Sequence, residues 1–189
     1  MTSSTRQAAE SGPVGIGAAL PRLEDSRLTQ GRGAYGADLN FARQAYLAIL
    51  RSPYPHARIA HVDCTAALEL PGVLAAYTGQ DVLSDGIGFL PTRVRRKAPD
   101  GEPNFVPPFP VLAVDRVRHV GEGVVAVVAE TLDIAKDALE LIDVGYEPLP
   151  SVTDTGSAAS TNSPQIWPQV PNNVCFVHEA GDRQAAEAS

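Results

Sequence analysis

The fold class is decided by the stretch Val124-Val-Ala-Val-Val-Ala-Glu-Thr-Leu-Asp-Ile-Ala-Lys-Asp-Ala-Leu-Glu-Leu-Ile142. Its first six residues, 124–129, are apolar and rich in valine, which predicts a strand. Thr131 can then cap a helix over 131–142, because apolar residues recur at helical spacing on one face: Leu132, Ala135, Ala138, Leu139 and Ile142. Residues 143–147 are predicted to form the next strand, closed by Pro148-Leu149-Pro150.

The segments upstream contain three more predicted strands. Residues 44–51 carry a continuous apolar run, which is typical of a central strand covered on both faces. Residues 57–62 form a weaker strand, and residues 73–77 form the third. Between the last two, Asp63 can cap a short helix over 65–70 that Pro71-Gly72 ends. This alternation of strands and helices predicts mixed layers, an α+β fold.

The chain then becomes irregular before it returns to strand character. Thr78-Gly79-Gln80-Asp81 is predicted to turn the chain. Residues 84–110 contain six prolines, the composition of a long loop of functional or interface character. Residues 111–114 are predicted to resume a strand. Residues 117–120 and 124–129 are predicted to be consecutive strands joined through Gly121-Glu-Gly123.

Composition bounds the class of protein. The chain has 189 residues, 44% of them apolar, and a net charge of −7. The size fits one domain, or one domain and the start of another. General nucleic-acid binding is excluded as the main role, because phosphates require a basic face. Cys64 and Cys175 are far apart, which indicates reduced packing thiols and a cytoplasmic location. The apolar runs are far shorter than the ~20 residues that cross a bilayer, so no membrane segment is predicted.

One motif invites a nucleotide-binding interpretation. Gly31-Arg-Gly-Ala-Tyr-Gly36 matches the glycine pattern of dinucleotide-binding folds. That pattern works only after a buried strand and before a helix, whereas the flanking residues here are polar and turn-like. The glycines are therefore predicted to serve backbone conformation.

Histidine and serine side chains are the next candidates for a functional site. His56 and His61 lie near Asp63, but their spacing matches no zinc signature, so surface or interface roles are favoured over a metal site. Ser52 and Ser84 lack the strand–turn–helix context of an activated nucleophile.

Charged clusters and one aromatic residue complete the candidates. Glu24-Asp25 beside Arg22 and Arg27 is predicted to be a local charge network rather than an acid–base pair. The basic run Arg93-Val-Arg-Arg-Lys97 is predicted to be a solvated loop, with docking to an acidic partner or an anion as the alternative. Trp167, in a proline-rich segment, is predicted to pin that segment onto a neighbouring surface.

Several stretches follow one another in a recognisable order: Pro21-Arg-Leu-Glu-Asp-Ser-Arg-Leu-Thr-Gln-Gly-Arg-Gly-Ala-Tyr35, Arg51-Ser-Pro-Tyr-Pro-His-Ala-Arg-Ile59, Leu70-Pro-Gly-Val73, Val111-Leu-Ala-Val-Asp-Arg-Val-Arg-His-Val-Gly-Glu122 and Val144-Gly-Tyr-Glu-Pro-Leu-Pro150. Together they resemble the large subunits of the molybdenum hydroxylases, the family of xanthine dehydrogenase, aldehyde oxidase and aerobic carbon monoxide dehydrogenase. The chain departs from that family at Gly123, where proline is usual, and at Gly145, where an acidic residue is common.

The resemblance implies a domain organisation. Residues 1–20 are expected to be a flexible arm and residues 21–150 an α/β hammerhead domain, a mixed sheet with packed helices. Residues 151–189 are expected to be an extended linker and the truncated start of the molybdopterin-binding domain. Asn173-Val-Cys-Phe176 and Gly181-Asp182 resemble the crossing into that domain, and residues 185–189 the beginning of its first helix.

The resemblance also implies an oxidoreductase function for the complete enzyme. Such an enzyme hydroxylates a carbon centre, or oxidises carbon monoxide, with water as the oxygen source. Molybdopterin–Mo carries the chemistry, and electrons leave through iron–sulfur and FAD subunits. The family's catalytic glutamate and cofactor-contacting loops lie beyond position 189. No catalytic, cofactor-binding or metal-binding residue is therefore expected in this chain, which alone should bind no molybdenum and turn over no substrate.

Two alternatives stay open at this point. The chain can be a stand-alone interaction domain that complements a separately encoded cofactor subunit, with Trp167 and the 84–110 loop as docking surfaces. It can also be a nonfunctional remnant. Neither the substrate nor the oligomeric state is readable from these residues.

Overall fold

Six strands divide between two antiparallel sheets in a computed structural model of the chain. The structure describes residues 22–92, 96–98, 101–178 and 180–182, together with Ile16, Gln184 and Glu187, and leaves the Ala37 side chain undescribed. The strands are β1 Tyr46–Arg51, β2 Ala57–Asp63, β3 Val73–Thr78, β4 Arg116–Val117, β5 Gly123–Ala129 and β6 Asp143–Pro148. One sheet has the order β1-β5-β3 and the other β4-β2-β6. The predicted mixture of sheet and helix is confirmed.

The helices are short except for one. They are α1 Asp25–Leu28, α2 Thr65–Leu68, α3 Gly79–Ser84, α4 Leu132–Glu140 and α5 Thr155–Ala158, with 3-10 turns at Gly36–Asp38 and Pro171–Asn173. Residues 1–43 and 44–189 form two separate compact units. The predicted arm over residues 1–20 lies outside the described residues apart from Ile16. None of the described helices combines the length and apolar composition that crossing a membrane requires.

The central strand of the first sheet is β5, so the prediction that residues 44–51 are central is wrong. β5 pairs with β1 on one edge and β3 on the other. Val124, Val125 and Val127 are fully buried, whereas Leu47 of β1 is 57% exposed. A continuous apolar run indicates burial without showing which of two such strands lies in the middle.

Helix α4 covers one face of this sheet. Thr131 caps it as predicted, with its hydroxyl oxygen accepting the Ile134 N–H at 3.2 Å. Ala135 is fully buried against Ala48 and Ala129. Small side chains at this crossing let the helix approach the sheet closely, which fills the core without large residues.

Two predicted strands before β5 are not found as predicted. Residues 111–114 form no strand. The Ala113 N–H donates a hydrogen bond to the Gly123 carbonyl at 2.8 Å, and Ala113 is buried. Residues 117–120 yield only the two-residue β4, which pairs with β2 rather than with β5. The turn at Gly121, with φ of +86°, carries the chain from one sheet to the other.

Side chains define the short helices. Asp63 accepts the Thr65 N–H at 2.9 Å, as predicted, although Cys64 occupies the N-cap position and α2 ends at Leu68. The predicted turn at residues 78–81 is in fact the start of α3. There the Thr78 and Asp81 side chains each bond the other's backbone N–H, a reciprocal capping box.

The expected extended linker is folded where the structure describes it. Residues 154–173 contain α5 and the second 3-10 turn, and they fold back on themselves. A composition rich in Ser, Asn and Pro predicted little regular structure, and hydrogen bonds from side chains to the backbone supply the order instead.

Candidate functional site

The exit of β1 meets the turn that precedes β5. Arg51 donates from Nη1 to the Gly121 carbonyl, Ser52 N–H donates to the Glu122 carbonyl, and Gly121 N–H donates to the Ser52 carbonyl, each at 2.8 Å. Ser52 is 2% exposed. Its hydroxyl also accepts the Tyr54 N–H at 3.0 Å, so it is a structural group rather than a nucleophile. Two stretches that carry the family resemblance are thus joined in space.

Glu122 links this junction to Arg118. The Glu122 carboxylate, almost buried, accepts the Arg118 backbone N–H at 2.5 Å. The Arg118 guanidinium carbon lies 3.9 Å from the centroid of the Trp167 ring, a cation–π contact. Burial lowers the pKa of Arg118, and the carboxylates of Asp115 and Glu122 act in the opposite direction.

Trp167 is anchored as its position in the sequence predicts. Beside Arg118, its ring contacts Phe105 of the long loop with centroids 5.7 Å apart. A cavity of about 230 Å³ adjoins them, lined by Leu83, Phe89, Pro108, Pro110, Val114, Asp115, Arg118 and Trp167. Sequence analysis missed Arg118, because no local signal distinguishes it from other surface arginines.

His56 joins the β1 exit to the end of β6. Its Nδ1 lies 2.8 Å from the Pro150 carbonyl oxygen, and its own carbonyl accepts the Leu149 N–H. A carbonyl only accepts, so Nδ1 carries the proton in this contact. The Tyr54 and Tyr146 rings pack against each other with their centroids 5.1 Å apart. Burial raises the pKa of Tyr146, partly offset by the nearby Ser52 hydroxyl.

His61 bonds Asp143 rather than Asp63, the aspartate two positions after it in the sequence. Its Nε2 lies 2.9 Å from Oδ2 of Asp143 across the β2–β6 ladder. The imidazole lies over Gly145, where a Cβ would come within 2.4 Å of the ring. The departure from the family at Gly145 therefore makes room for this histidine.

The other predicted candidates lie apart from the junction. Gly31, with φ of +67°, follows α1, and Gly36 opens a three-residue 3-10 turn, so the strand and helix of a nucleotide site are missing. Glu24 pairs with Arg27 at 3.1 Å, and Asp25 accepts the Arg22 N–H, which confirms the predicted local network. Ser84, His119 and His178 are exposed. The basic run at residues 93–97 lies partly outside the described residues.

Nowhere among the described residues do three or more His, Cys, Asp or Glu gather as a directly ligated metal ion would need. Another cavity, about 470 Å³, lies between residues 98–105 and 169–175. Its polar lining residues are Glu102, Gln169, Asn172 and Cys175.

The face of the first sheet opposite α4 is apolar and, among the described residues, partly exposed. Side chains alternate between faces along a strand, and paired residues share a face. Two rows of apolar residues therefore point away from α4: Leu47, Val128 and Ala75 in one, and Ile49, Ala126 and Tyr77 in the other. Leu47 is 57% and Tyr77 45% exposed. We call these six residues the outer face.

The fold and the junction define the class of this protein. It has a domain of two antiparallel sheets packed with short helices, in which the family-like motifs serve packing and chain crossing. The chain belongs to the aldehyde oxidase and xanthine dehydrogenase a/b hammerhead domain family, whose sequence profile matches residues 30–150. The expected hammerhead fold is confirmed.

The relatives of this chain are much longer than the chain itself. It is 36% identical over 176 residues to the 6-hydroxypseudooxynicotine dehydrogenase complex subunit gamma of Paenarthrobacter nicotinovorans, covering 92% of this chain and 22% of that protein. It is 31% identical over 187 residues to the carbon monoxide dehydrogenase large chain of Afipia carboxidovorans, covering 93% and 22%. A solved Cu,Mo carbon monoxide dehydrogenase superposes with a TM-score of 0.67 at 30% identity, over 92% of this chain and 22% of that one. The chain is thus homologous to part of the molybdenum hydroxylase subunits and spans about a fifth of their length.

Proposed function

We propose that this chain is the hammerhead portion of a molybdopterin-dependent oxidoreductase large subunit, with a structural and assembly role. The observation that carries the proposal is the outer face. An apolar sheet surface with Leu47 and Tyr77 about half exposed is normally covered by another protein layer. α4 covers only the opposite side of the sheet.

The occupant of the outer face is the remainder of the large subunit. The relatives carry about four fifths of their length beyond the part that matches this chain. The two rows of the outer face contain no charged side chain, so they fit an apolar protein surface rather than a nucleic acid or an anionic ligand. Whether that surface belongs to the same or to a separate polypeptide does not change its chemistry.

The roles of the segments follow from this proposal. Residues 21–150 are the hammerhead domain, and residues 151–189 lead towards the cofactor-binding domain. The assembled enzyme, with iron–sulfur and FAD partner subunits, uses molybdopterin–Mo held by other residues. The residues of this chain position and cover the remainder of the large subunit, and none of them is catalytic. Two unpaired thiols, Cys64 and Cys175, support a cytoplasmic location.

The test is native purification of the tagged chain from its own host, with molybdenum and iron quantified and co-purifying polypeptides identified by mass spectrometry. Leu47→Asp and Tyr77→Asp place a charge on the outer face. Leu141→Asp is the matched control, because Leu141 is 44% exposed and directly follows α4, on the other side of the sheet.

The proposal expects a molybdenum-containing polypeptide of this family with the wild-type chain and with the Leu141 variant, and its loss with both outer-face variants. A wild-type chain that purifies alone and free of molybdenum contradicts the proposal. Equal molybdenum contents in all four preparations would show that the outer face takes no part in the assembly. A mass of two chains by light scattering, abolished by Leu47→Asp, assigns the face to a second copy instead.

A further inference from the structure

Residues 154–173 close on themselves through one side chain. The Asn173 carboxamide donates from Nδ2 to the carbonyls of Ala158 and Pro164, and its Oδ1 accepts the Ile166 N–H, each at 3.0 Å. The Nδ2 and Oδ1 atoms of Asn173 therefore hold three points of the segment together. Loss of this one side chain would release all three.

The backbone at this closure is held in an unusual conformation. Asn172 and Asn173 both lie in the left-handed region, with φ of 56° and 54°. Asparagine tolerates this region better than most residues, but a conformation of this kind persists only where surrounding contacts fix it. Of the two, Asn173 supplies those contacts, which makes the neighbouring asparagine a natural control.

The same segment carries the aromatic residue that docks on the domain. Trp167 follows Ile166, the residue whose N–H Asn173 accepts, and the Trp167 carbonyl accepts the Val170 N–H at 2.9 Å. Val170 is 3% exposed. The ring lies under the Arg118 guanidinium, and the Arg118 backbone N–H donates to the Glu122 carboxylate near the β1 exit.

We propose that residues 154–173 form a strap that closes as one unit. Asn173 shuts the strap and Trp167 locks it on Arg118, so that the chain leaves the domain at residue 174 from a fixed position. This device belongs to the chain itself and does not depend on the proposed function. Its signature is that Trp167 undocks when Asn173 is changed.

The experiment uses the 189-residue chain, in which Trp167 is the single tryptophan. Emission maximum and acrylamide quenching report whether the ring is docked. Asn173→Asp keeps an acceptor and the tolerance for positive φ but removes both donated hydrogen bonds. Asn173→Ala removes all three bonds. Asn172→Ala is the control, because it carries the same backbone cost without those bonds. Far-UV circular dichroism checks that the sheets are intact.

A second measurement reports on the place where the chain leaves the domain. Cys175 lies just beyond the strap, and burial raises the pKa of its thiol, so it should label slowly in the closed state. In a Cys64→Ala background it is the only thiol. Its rate of maleimide labelling should rise several-fold when the strap opens.

The strap predicts a red-shifted, more quenchable Trp167 and faster Cys175 labelling in both Asn173 variants, with values close to wild type in Asn172→Ala. Unchanged emission in Asn173→Asp overturns the inference. Equal effects of the Asn172 and Asn173 alanine variants overturn it as well, because backbone strain would then be the cause. If Asn173→Ala unfolds the sheets, the aspartate variant decides alone. Arg118→Gln should undock Trp167 with Asn173 intact, and failure to do so removes Arg118 as the lock.

Discussion

The carbonyl group of Ala113 lies directly against Gly79: a Cβ at position 79 would come to 2.2 Å from the Ala113 oxygen and 2.7 Å from its carbon. Both contacts are with backbone atoms, which cannot swing aside as a side chain does. The absence of a side chain at the start of α3 thus lets the segment before β4 pack against it.

Gly79→Ala should lower the free energy of unfolding by about 3 kcal/mol, at the upper end of overpacking costs, because backbone has to move. Urea denaturation at neutral pH measures this. Gly88→Ala is the control, since a Cβ there meets nothing within 4 Å, and it should be almost neutral. A small cost at both positions would show that the Ala113 segment yields easily.

Asp81 at the N-terminus of α3 should make the stability of the chain sensitive to acid. The Thr78 backbone N–H and then its hydroxyl donate to the Asp81 carboxylate and lower its pKa below the ordinary value of about 3.9. A lowered pKa contributes stability above the unfolded pKa, and this stability is lost as pH falls through the folded one. Asp81→Asn should therefore destabilise the chain at pH 7 and converge with wild type in acid. Unfolding midpoints against pH test this, and Asp137→Asn, on the exposed side of α4, is the control variant.

The contact of α4 with the sheet should not accept a larger side chain. Ala135 is fully buried against Ala48 and Ala129. Ala135→Leu is expected to cost about 2 kcal/mol, because the helix must move away from the sheet. Lys136→Leu adds leucine at the next, exposed position of the same helix and should change stability little. Thermal unfolding of the two variants compares them, and equal melting temperatures would contradict the close packing.

His56 should stabilise the end of β6 through one hydrogen bond. His56→Phe keeps a ring of similar size in this buried position and removes the bond to the Pro150 carbonyl, at an expected cost of about 1 kcal/mol. His119→Phe is the matched control, because His119 is exposed. Hydrogen exchange of the Leu149 amide should accelerate in the first variant only.

Gly145 and His61 should be coupled energetically. Gly145→Ala forces the imidazole off the strand and breaks its contact with Asp143, at less than about 1 kcal/mol because the pair is exposed. In a His61→Ala background the same change should cost nothing. A double-mutant cycle measures the difference, and a zero coupling energy would separate the two positions.

The elements that sequence analysis predicted correctly are those whose signals are local. β5, α4 and β6 follow from an apolar run, a threonine cap and helical spacing within residues 124–147, and the structure has them with nearly the same bounds. The order of strands is not a local property. β1 and β5 both read as apolar runs, and only their pairing partners, distant in sequence, place β5 in the middle.

Helix α3 could have been predicted from the sequence, whereas the contacts of Arg118 and Asn173 could not. Thr78 and Asp81 have the spacing of a capping box, so α3 was visible in the sequence. Trp167 was predicted as an anchor because burial of a large aromatic side chain from a polar segment is favourable. Its partner Arg118 and the closing role of Asn173 depend on contacts that exist only after folding. Residues 111–114 have strand composition, but in the fold the Ala113 N–H bonds the Gly123 carbonyl and the segment joins no ladder, which composition cannot show.

The ladder between β2 and β6 joins residues far apart in the chain, since His61 and Asp143 are 82 positions apart. During translation, β2 leaves the ribosome long before its partner has been synthesised. At 5–20 residues per second this interval is on the order of 4–16 s. For that time one edge of β2 offers its backbone groups to any other strand nearby, so nascent copies of this chain should depend on chaperones that hold the edge until β6 emerges.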